Sequence, residues 1–159
     1  MPRGGLKSRI NRSEVDPIYK SLLLSKFINN VMQDGKKTKA QTQVYRALDI
    51  LKEQGQDPLK TFEIALDNIG PKVEVKARRI GGAAYQVPTE VRGPRRVSLA
   101  IRWILEAARK RSNSEYHTFA EKLAAEITAA FKGEGDAMRK KETAHKQAEA
   151  NKAFAHFRW

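Results

Sequence analysis

The sequence has no cysteine and no long uninterrupted apolar run among its 159 residues. Without cysteine, the chain can form no disulfide, no thiolate metal site and no cysteine nucleophile. No segment approaches the roughly 18 consecutive apolar residues that favour a membrane-spanning helix. The first residues also lack the apolar centre of a secretory signal. We therefore expect a cytoplasmic protein that has no membrane partner.

Acidic residues are in the minority. The chain has 31 lysines and arginines against 18 aspartates and glutamates, which gives a formal net charge of +13. Hydrophobic residues make up 40% of the sequence, which is enough for a core, and the length favours one domain over residues 1–159. Such an excess of cations implies a polyanionic partner. Nucleic acid fits better than a membrane, because no single basic amphipathic stripe is present.

Apolar residues recur at helical spacing through most of the chain. This pattern predicts a mainly α fold, a single-domain bundle of about six helices with a projecting β-hairpin between the third and fourth helices. We expect the first three helices to start at Asp16-Pro17, near Lys36 and at Asp57-Pro58. Asp can cap free amides there, and Pro is tolerated in a first helical turn.

The second half of the chain shows the same helical period. One helix is expected after Gly93-Pro94, and another from about residue 115, with Ser114 as a candidate cap. Residues 136–159 read as a C-terminal helix and tail. This helix has little apolar surface to bury, so we expect it to leave the body of the protein or to dock on a partner.

Between the two helical regions, residues 72–91 alternate in polarity and are rich in valine, which predicts a β-hairpin. Gly81-Gly82 at its middle supplies the positive φ angles that a tight turn requires. Three- and four-residue loops also fit, so the register stays open. Neither face of the hairpin is continuously apolar, and we expect it to project from the helices.

The sequence contains no complete motif for catalysis or metal binding. The three histidines, His117, His145 and His156, lack the spacing of a zinc-binding helix. Gly35-Lys36-Lys37-Thr38 resembles part of a phosphate-binding loop, but Lys37 replaces the required hydroxyl residue and a helix precedes it. We therefore predict no catalytic residues, no metal, no cofactor and no enzyme activity. Lys36 and Lys37 are either solvated lysines after a helix-ending glycine or phosphate contacts at a helix N terminus.

The cations are unevenly distributed. Residues 1–16 read as a basic arm that contains Arg3, Lys7, Arg9 and Arg12 but few apolar side chains. Residues 72–96 contain seven basic and two acidic residues. Arginine dominates there, which suits bidentate phosphate contacts, and Tyr85 could stack on a splayed base. The alternative is that these charges only keep the edge of the hairpin soluble.

Three long stretches carry a resemblance to a known family. VEVKARRIGGAAYQVPTEVRGPRRVSLAIRWILEAARKR (73–111) closely resembles the bacterial small-subunit ribosomal protein S-seven family. The stretches DPIYKSLLLSKFINNVMQDGKKTKAQTQVYRAL (16–48) and KKETAHKQAEANKAFAHFRW (140–159) do so as well. The resemblance covers nearly the whole chain in one order. The resemblance implies the fold of that family, a bundle of six helices with a β-ribbon between the third and fourth.

The resemblance implies a structural constituent of the small ribosomal subunit that contributes to translation. Such a protein is a primary ribosomal RNA-binding protein that binds the three-prime major domain of the small-subunit RNA and starts assembly of the subunit head. It lies near the decoding centre, with the ribbon close to the exit-site transfer RNA and the messenger RNA. Small-subunit proteins nine and eleven are implied neighbours, and an obligate homo-oligomer is not. Arg95-Arg96 and the Trp159 ending favour a bacterial over a plastid-encoded origin.

The resemblance also implies which residues face RNA. They are Arg3, Lys7, Arg9, Arg12, Lys36, Lys37, Lys72, Lys76, Arg78, Arg79, Arg92, Arg95, Arg96, Arg102 and Arg109. The part of the ribbon nearest transfer and messenger RNA consists of Arg78, Arg79, Gly81, Gly82 and Tyr85. The tail residues Lys140, Lys141, Lys146, Lys152 and Arg158 match the family, but their contacts can be with protein or with RNA.

Two other classes of function remain at this point. One is a helical protein that binds duplex DNA, since the net charge is also compatible with DNA as the partner. The other is an RNA-modifying enzyme, which the missing catalytic pairs and cofactor loop argue against. Competition between junction RNA and duplex DNA separates the first of these from a ribosomal RNA-binding protein.

Overall fold

The computed structural model describes residues 14–157 and is mainly α-helical, as predicted. Six α-helices and an antiparallel hairpin follow one another, and a short 3-10 helix, Lys152–Phe157, ends the described chain. Their bounds are α1 Leu22–Val31, α2 Lys37–Glu53, α3 Pro58–Ile69, β1 Val73–Ile80, β2 Ala83–Glu90, α4 Gly93–Lys110, α5 Phe119–Phe131 and α6 Asp136–Ala150. The hairpin lies between the third and fourth helices, which confirms the predicted fold class.

The core forms around α5, which packs against α2, α3 and α4. Leu123 and Ile127 project from α5 into this core and are completely or almost completely buried. The rings of Phe27 from α1 and Phe62 from α3 meet edge to face with their centroids 5.0 Å apart. Burial of such large apolar side chains provides the main driving force for folding, at about 1.5–3 kcal/mol each.

The first helix starts later than predicted. Asp16-Pro17 opens only a single turn, in which the Asp16 carboxylate accepts the amides of Ile18 and Tyr19 at 3.2 and 2.9 Å. Lys20 then adopts a positive φ of 50°, which no helix continues through. Ser21 provides the true N-cap of α1, because its hydroxyl accepts the amide of Leu24.

The fifth helix also starts later than residue 115. Its cap is Thr118, and the predicted cap Ser114 is wrong, since Ser114 hydrogen-bonds instead to Ser112 within the loop. Thr118 accepts the amide of Glu121, and the Glu121 carboxylate accepts the amide of Thr118 in return. This reciprocal arrangement is a capping box, and its Thr-x-x-Glu pattern was available in the sequence.

The hairpin has the two-residue turn that the glycines suggested. Ile80 pairs with Ala83, so Gly81 and Gly82 alone form the loop, with φ angles of 57° and 89°. Positive φ at both positions favours glycine there. The tip is exposed, whereas Val87 near the base is completely buried. The register therefore places the tip away from the core and anchors the base against the helices.

The expectation that the last helix leaves the body is wrong. α6 packs along β1 and α4, with only Ala137 and Ala148 buried. Small side chains are sufficient because polar contacts add to the packing. At its start, the amide of Ala137 donates to the buried carboxylate of Glu126 at 3.2 Å, and Arg111 pairs with the same carboxylate at 2.7 Å.

Candidate nucleic-acid interface

Three arginines on α4 form a row along one side of the helix. Arg95, Arg102 and Arg109 are seven residues apart, so each lies about two turns from the next and on nearly the same face. All three are exposed. At about 1.5 Å of rise per residue, the row spans about 21 Å, which is long enough to contact several successive phosphates. We call these residues the α4 arginine row.

The C-terminal end of the α4 arginine row approaches the lysines before and within α2. Arg102 and Arg109 line a cavity of about 230 Å³ together with Asn30 of α1. Arg109 also lines a second cavity, of about 340 Å³, with Lys36 and Lys39. The fold therefore brings the predicted Arg102 and Arg109 next to the predicted Lys36 and to Lys39. We call Lys36, Lys37 and Lys39 the α2 lysines.

Lys37 connects this surface to the start of the described chain. It lines a cavity of about 220 Å³ with Glu14, Asp16 and Ser25. The Ser25 hydroxyl donates to the carbonyl oxygen of Glu14 at 2.5 Å, which holds the chain against α1 at this point. The four predicted cations of the basic arm, Arg3, Lys7, Arg9 and Arg12, lie outside the described residues.

At the other end of the row, predicted cations surround the base of the hairpin. The half-buried carboxylate of Glu74 pairs with Lys76 at 3.1 Å and with Arg95 at 3.3 Å. This acid links β1 to α4 and leaves both cations partly exposed. Arg92 directly precedes α4 and is also exposed, without a side-chain cap on the helix.

Arg96 differs from Arg95 because it binds backbone carbonyl oxygens at the end of a helix. Its guanidinium donates to the carbonyl oxygens of Gly70 and Asp67 at 3.2 and 2.9 Å, and it pairs with the exposed Asp67 carboxylate. A Cβ atom at Gly70 would lie 2.6 Å from the Arg96 side chain. Glycine at position 70 thus allows Arg96 to cover the end of α3, where the helix dipole favours a cation.

Positive charge is crowded where α6 meets the hairpin base. The Lys141 ammonium donates to the carbonyl oxygen of Asn68, and the amide of Lys72 donates to the Nε2 atom of His145 at 3.1 Å. Burial lowers the pKa of Lys141, and the nearby Arg96 and Lys72 lower it further. Burial, Lys141 and Lys72 likewise lower the pKa of His145. A phosphate at this place would relieve the mutual repulsion of these groups.

The hairpin tip carries the remaining predicted residues. Arg79 is exposed opposite Ala84, and Gly81 and Gly82 form the exposed turn. Arg78 is half-buried opposite Tyr85. The Tyr85 ring packs on Phe154 and Phe157 of the 3-10 helix, with centroid distances of 5.4 and 5.2 Å. The ring of the tyrosine predicted to stack on a base is therefore in contact with two aromatic side chains of the protein.

The chain is similar in sequence to proteins of a known family. The family model described as Ribosomal protein S7p/S5e matches residues 5–152. The chain belongs to this family. It is similar to the small ribosomal subunit protein uS7 of Thermoanaerobacter pseudethanolicus, at 55% identity over the full length of both chains. The protein of the same description from Thermotoga petrophila is 53% identical, with 96% of this chain and 97% of the relative covered.

Membership in the S7p/S5e family confirms several predictions. The chain is a structural, non-enzymatic protein of the small ribosomal subunit, and its relatives in bacteria place it in the cytoplasmic ribosome. Among residues 14–157, no helix is both long and apolar enough to cross a bilayer. The roles of the individual cations in binding RNA stay predictions, and the structure adds where those within residues 14–157 lie.

Lys39 was not predicted as part of the site, and no partner was predicted for Lys141 or His145. Lys39 lies three residues after Lys36, which is close to one helical turn, so the two lysines face the same side once α2 is formed. Lys141 and His145 have the i, i+4 spacing of neighbours on a helix face. Their contacts with Asn68 and Lys72 span more than 70 positions of sequence, and no local pattern indicates such contacts.

Proposed function

We propose that this S7p/S5e family member is a primary binder of small-subunit ribosomal RNA. It binds the three-prime major domain of that RNA and starts assembly of the subunit head, acting as a single RNA-binding domain over residues 1–159. The observation that carries the proposal is the α4 arginine row, which joins the hairpin base at one end and the α2 lysines at the other. Cations from several elements would thus contact several segments of one RNA.

In this mechanism the protein acts by binding RNA and catalyses no reaction. Lysine and arginine side chains contact phosphates where RNA helices meet, release condensed counterions and hold the helices in one relative orientation. The deep, narrow major groove of A-form RNA excludes side chains, so the shape of the backbone matters more than the identity of the bases. The fixed spacing of Arg95, Arg102 and Arg109 suits this task, because a rigid helix holds the three positions at constant separation.

The neighbours of the protein follow from the same proposal. The exposed hairpin tip, with Arg79, Gly81 and Gly82, would lie toward the exit-site transfer RNA and the messenger RNA near the decoding centre. Small-subunit ribosomal proteins nine and eleven would contact the protein, with protein eleven near the C-terminal region. The position of the 3-10 helix beside the tip supports this arrangement, since both would face the same neighbours.

A binding assay tests the proposal. Affinity for a fragment of the three-prime major domain is measured against a five-prime domain fragment and against duplex DNA of equal length. We expect a clear preference for the three-prime fragment. Each of Arg102→Ala and Arg109→Ala should lose about tenfold to a hundredfold in affinity, since a charge-assisted hydrogen bond contributes about 1.5–3 kcal/mol.

Lys60→Ala provides the matched control. Lys60 is an exposed cation at the start of α3, where it pairs with Asp57, and it is outside the predicted RNA-facing set. Its removal changes the net charge by the same amount and should leave the affinity nearly unchanged. Equal losses for all three variants would mean that only overall charge matters. Equal affinity for the ribosomal fragments and duplex DNA would contradict the proposal.

A further inference from the structure

We propose that the cavity between α1, α2, α4 and α5 binds a single unstacked nucleotide of the RNA. The cavity has a volume of about 340 Å³ and combines cationic side chains with an apolar, partly aromatic wall. The inference rests on the proposed function, because it names one chemical group that the RNA presents. We call this cavity the α2–α5 pocket.

The cations of the α2–α5 pocket come from separate parts of the chain. Lys36 precedes α2, Lys39 lies in its first turn, and Arg109 lies near the end of α4. Lys36 pairs with Asp34 at 3.5 Å, and both side chains are largely exposed. Within the described part of the chain, Lys39 and Arg109 form no ion pair. Three cations against one acid give the pocket a net positive charge, which suits a phosphate group.

Apolar side chains also line the pocket. Val31, Ala40 and Phe119 contribute to its lining. Phe119 is half-buried and packs against the hydrophobic core, so its ring is held in place rather than free to rotate in solvent. Unstacked bases in RNA complexes commonly rest on aromatic side chains, because every base has a π face. The ring therefore suits the base of a nucleotide, and the cations suit its phosphate.

Gln43 adds a polar group to the same pocket. Its Oε1 atom is buried and accepts no hydrogen bond from the described residues. Such an unsatisfied acceptor carries a desolvation cost that a donor on a bound ligand removes. The exocyclic amines and ring N–H groups of bases are donors of this kind. A rotation of the terminal amide would turn the acceptor toward the occupant.

The inference is tested with the full chain by two measurements. The first is binding of the three-prime major domain fragment by Phe119→Leu, which keeps an apolar side chain but removes the ring. We expect affinity to fall about fivefold or more, in line with the contribution of one base–aromatic stack. Lys39→Gln should weaken binding and reduce the steepness of the salt dependence by about 0.7, as expected for the loss of one phosphate contact.

Each variant has a matched control on the same fold. Phe131→Leu makes the same change at the other end of α5, where the ring is also partly exposed. Lys60→Gln removes an exposed lysine at the start of α3 that lies outside the pocket and outside the predicted RNA-facing set. Circular dichroism and thermal unfolding of all four variants show whether the fold is retained. If Phe119→Leu binds RNA as well as Phe131→Leu does, and Lys39→Gln binds as well as its lysine control, the pocket holds no nucleotide.

The second measurement covers the case in which Phe119→Leu does not fold. Adenosine monophosphate, uridine monophosphate and inorganic phosphate are titrated into the wild-type protein, and amide chemical shifts are recorded. We expect the nucleotides to shift the resonances of Lys39 and Phe119 more than phosphate alone does. Absence of such shifts overturns the inference. If the wild type binds three-prime RNA tightly in the same series, the proposed function stands even when the pocket fails.

Discussion

Arg96 stabilises the protein in addition to its predicted contact with RNA. Its guanidinium binds two carbonyl oxygens at the end of α3, and Gly70 leaves room for its side chain. Among residues 14–157, Arg95, one residue earlier, pairs with the Glu74 carboxylate alone, which Lys76 also neutralises. Adjacent arginines with similar sequence context therefore have different energetic roles.

The two arginines can be separated by mutation. We expect Arg96→Ala to lower the free energy of unfolding by about 1–3 kcal/mol, because it leaves two helix-end carbonyls without their charged donor. Arg95→Ala removes a partly exposed pair and should cost less than about 1 kcal/mol. Denaturant unfolding measures both, and RNA binding is compared only under conditions in which each variant is folded. Equal loss of stability in the two variants would refute this division of roles.

Asp16 and Tyr45 form a second pair of interest at the residue scale. The Tyr45 hydroxyl donates to the buried Asp16 carboxylate at 2.7 Å, which ties the turn before α1 to α2. Burial, followed by this hydrogen bond and the negative charge of Asp16, raises the pKa of Tyr45 from its usual 10.0 to about 12. The folded protein thus keeps the phenolic proton at a pH where the unfolded chain loses it.

This difference predicts a pH dependence of stability. The contribution of Tyr45 is complete below about pH 10 and decreases as the pH rises toward 12, since the unfolded state then binds fewer protons than the folded state. Tyr45→Phe removes this contribution. Denaturant midpoints from pH 8 to pH 12 should therefore fall more steeply for the wild type than for the variant. Parallel curves for the two proteins would show that the Tyr45–Asp16 bond does not govern alkaline stability.

At the scale of elements, the C-terminal segment supports the hairpin. α6 runs along β1, and the 3-10 helix contacts β2. Tyr85 packs on both Phe154 and Phe157, whose rings stack on each other with their centroids 6.5 Å apart. An isolated two-stranded hairpin is only marginally stable in water, so this contact determines how firmly the hairpin is held.

Removing the aromatic support should loosen the hairpin selectively. We expect the double variant Phe154→Ala, Phe157→Ala to lower the free energy of local opening of β2 by about 1–3 kcal/mol, from the loss of two aromatic pairs and their burial. Amide hydrogen exchange should become faster in β1 and β2 and change little in α2 and α3. Lys152→Ala, an exposed change in the same 3-10 helix, is the control. Unchanged exchange in the hairpin would mean that α6 alone supports it.

At the scale of the whole molecule, the charge is distributed over several elements rather than concentrated in one. The acidic side chains of residues 49–67 are exposed, and this segment contains no predicted RNA contact. The α4 arginine row, the hairpin base and the α2 lysines instead form a positively charged surface. A single RNA that engages all of them at once releases many counterions.

Salt dependence measures the number of these contacts. With about eight phosphates neutralised, a plot of log affinity against log salt should have a slope of roughly −6 to −7. Equilibrium binding of the three-prime fragment between low and moderate salt provides this slope. Each single arginine variant in the α4 arginine row should make it shallower by somewhat less than one. A slope near −2 would indicate that only one group of cations touches the RNA.

Local patterns in the sequence determined the helices, the glycine turn and the clusters of basic residues, because helix periods, turn angles and charge runs depend on neighbouring positions. They also predicted the start of α3 at Asp57-Pro58, where Asp57 does accept the amide of Lys60. The starts of α1 and α5 were misplaced, since several residues near each of them are chemically able to cap a helix.

The tertiary structure alone decided which cations are held within the protein and which remain available. Arg96 meets Gly70, and Tyr85 meets Phe154, across 26 and 69 positions of sequence, so no nearby residue indicates these contacts. The position of α6 was decided in the same way, by backbone and side-chain partners in distant elements. Basic composition implied a polyanionic partner, whereas the packing of α4 against α1, α3, α5 and α6 placed its arginines between the cations of the hairpin base and the α2 lysines.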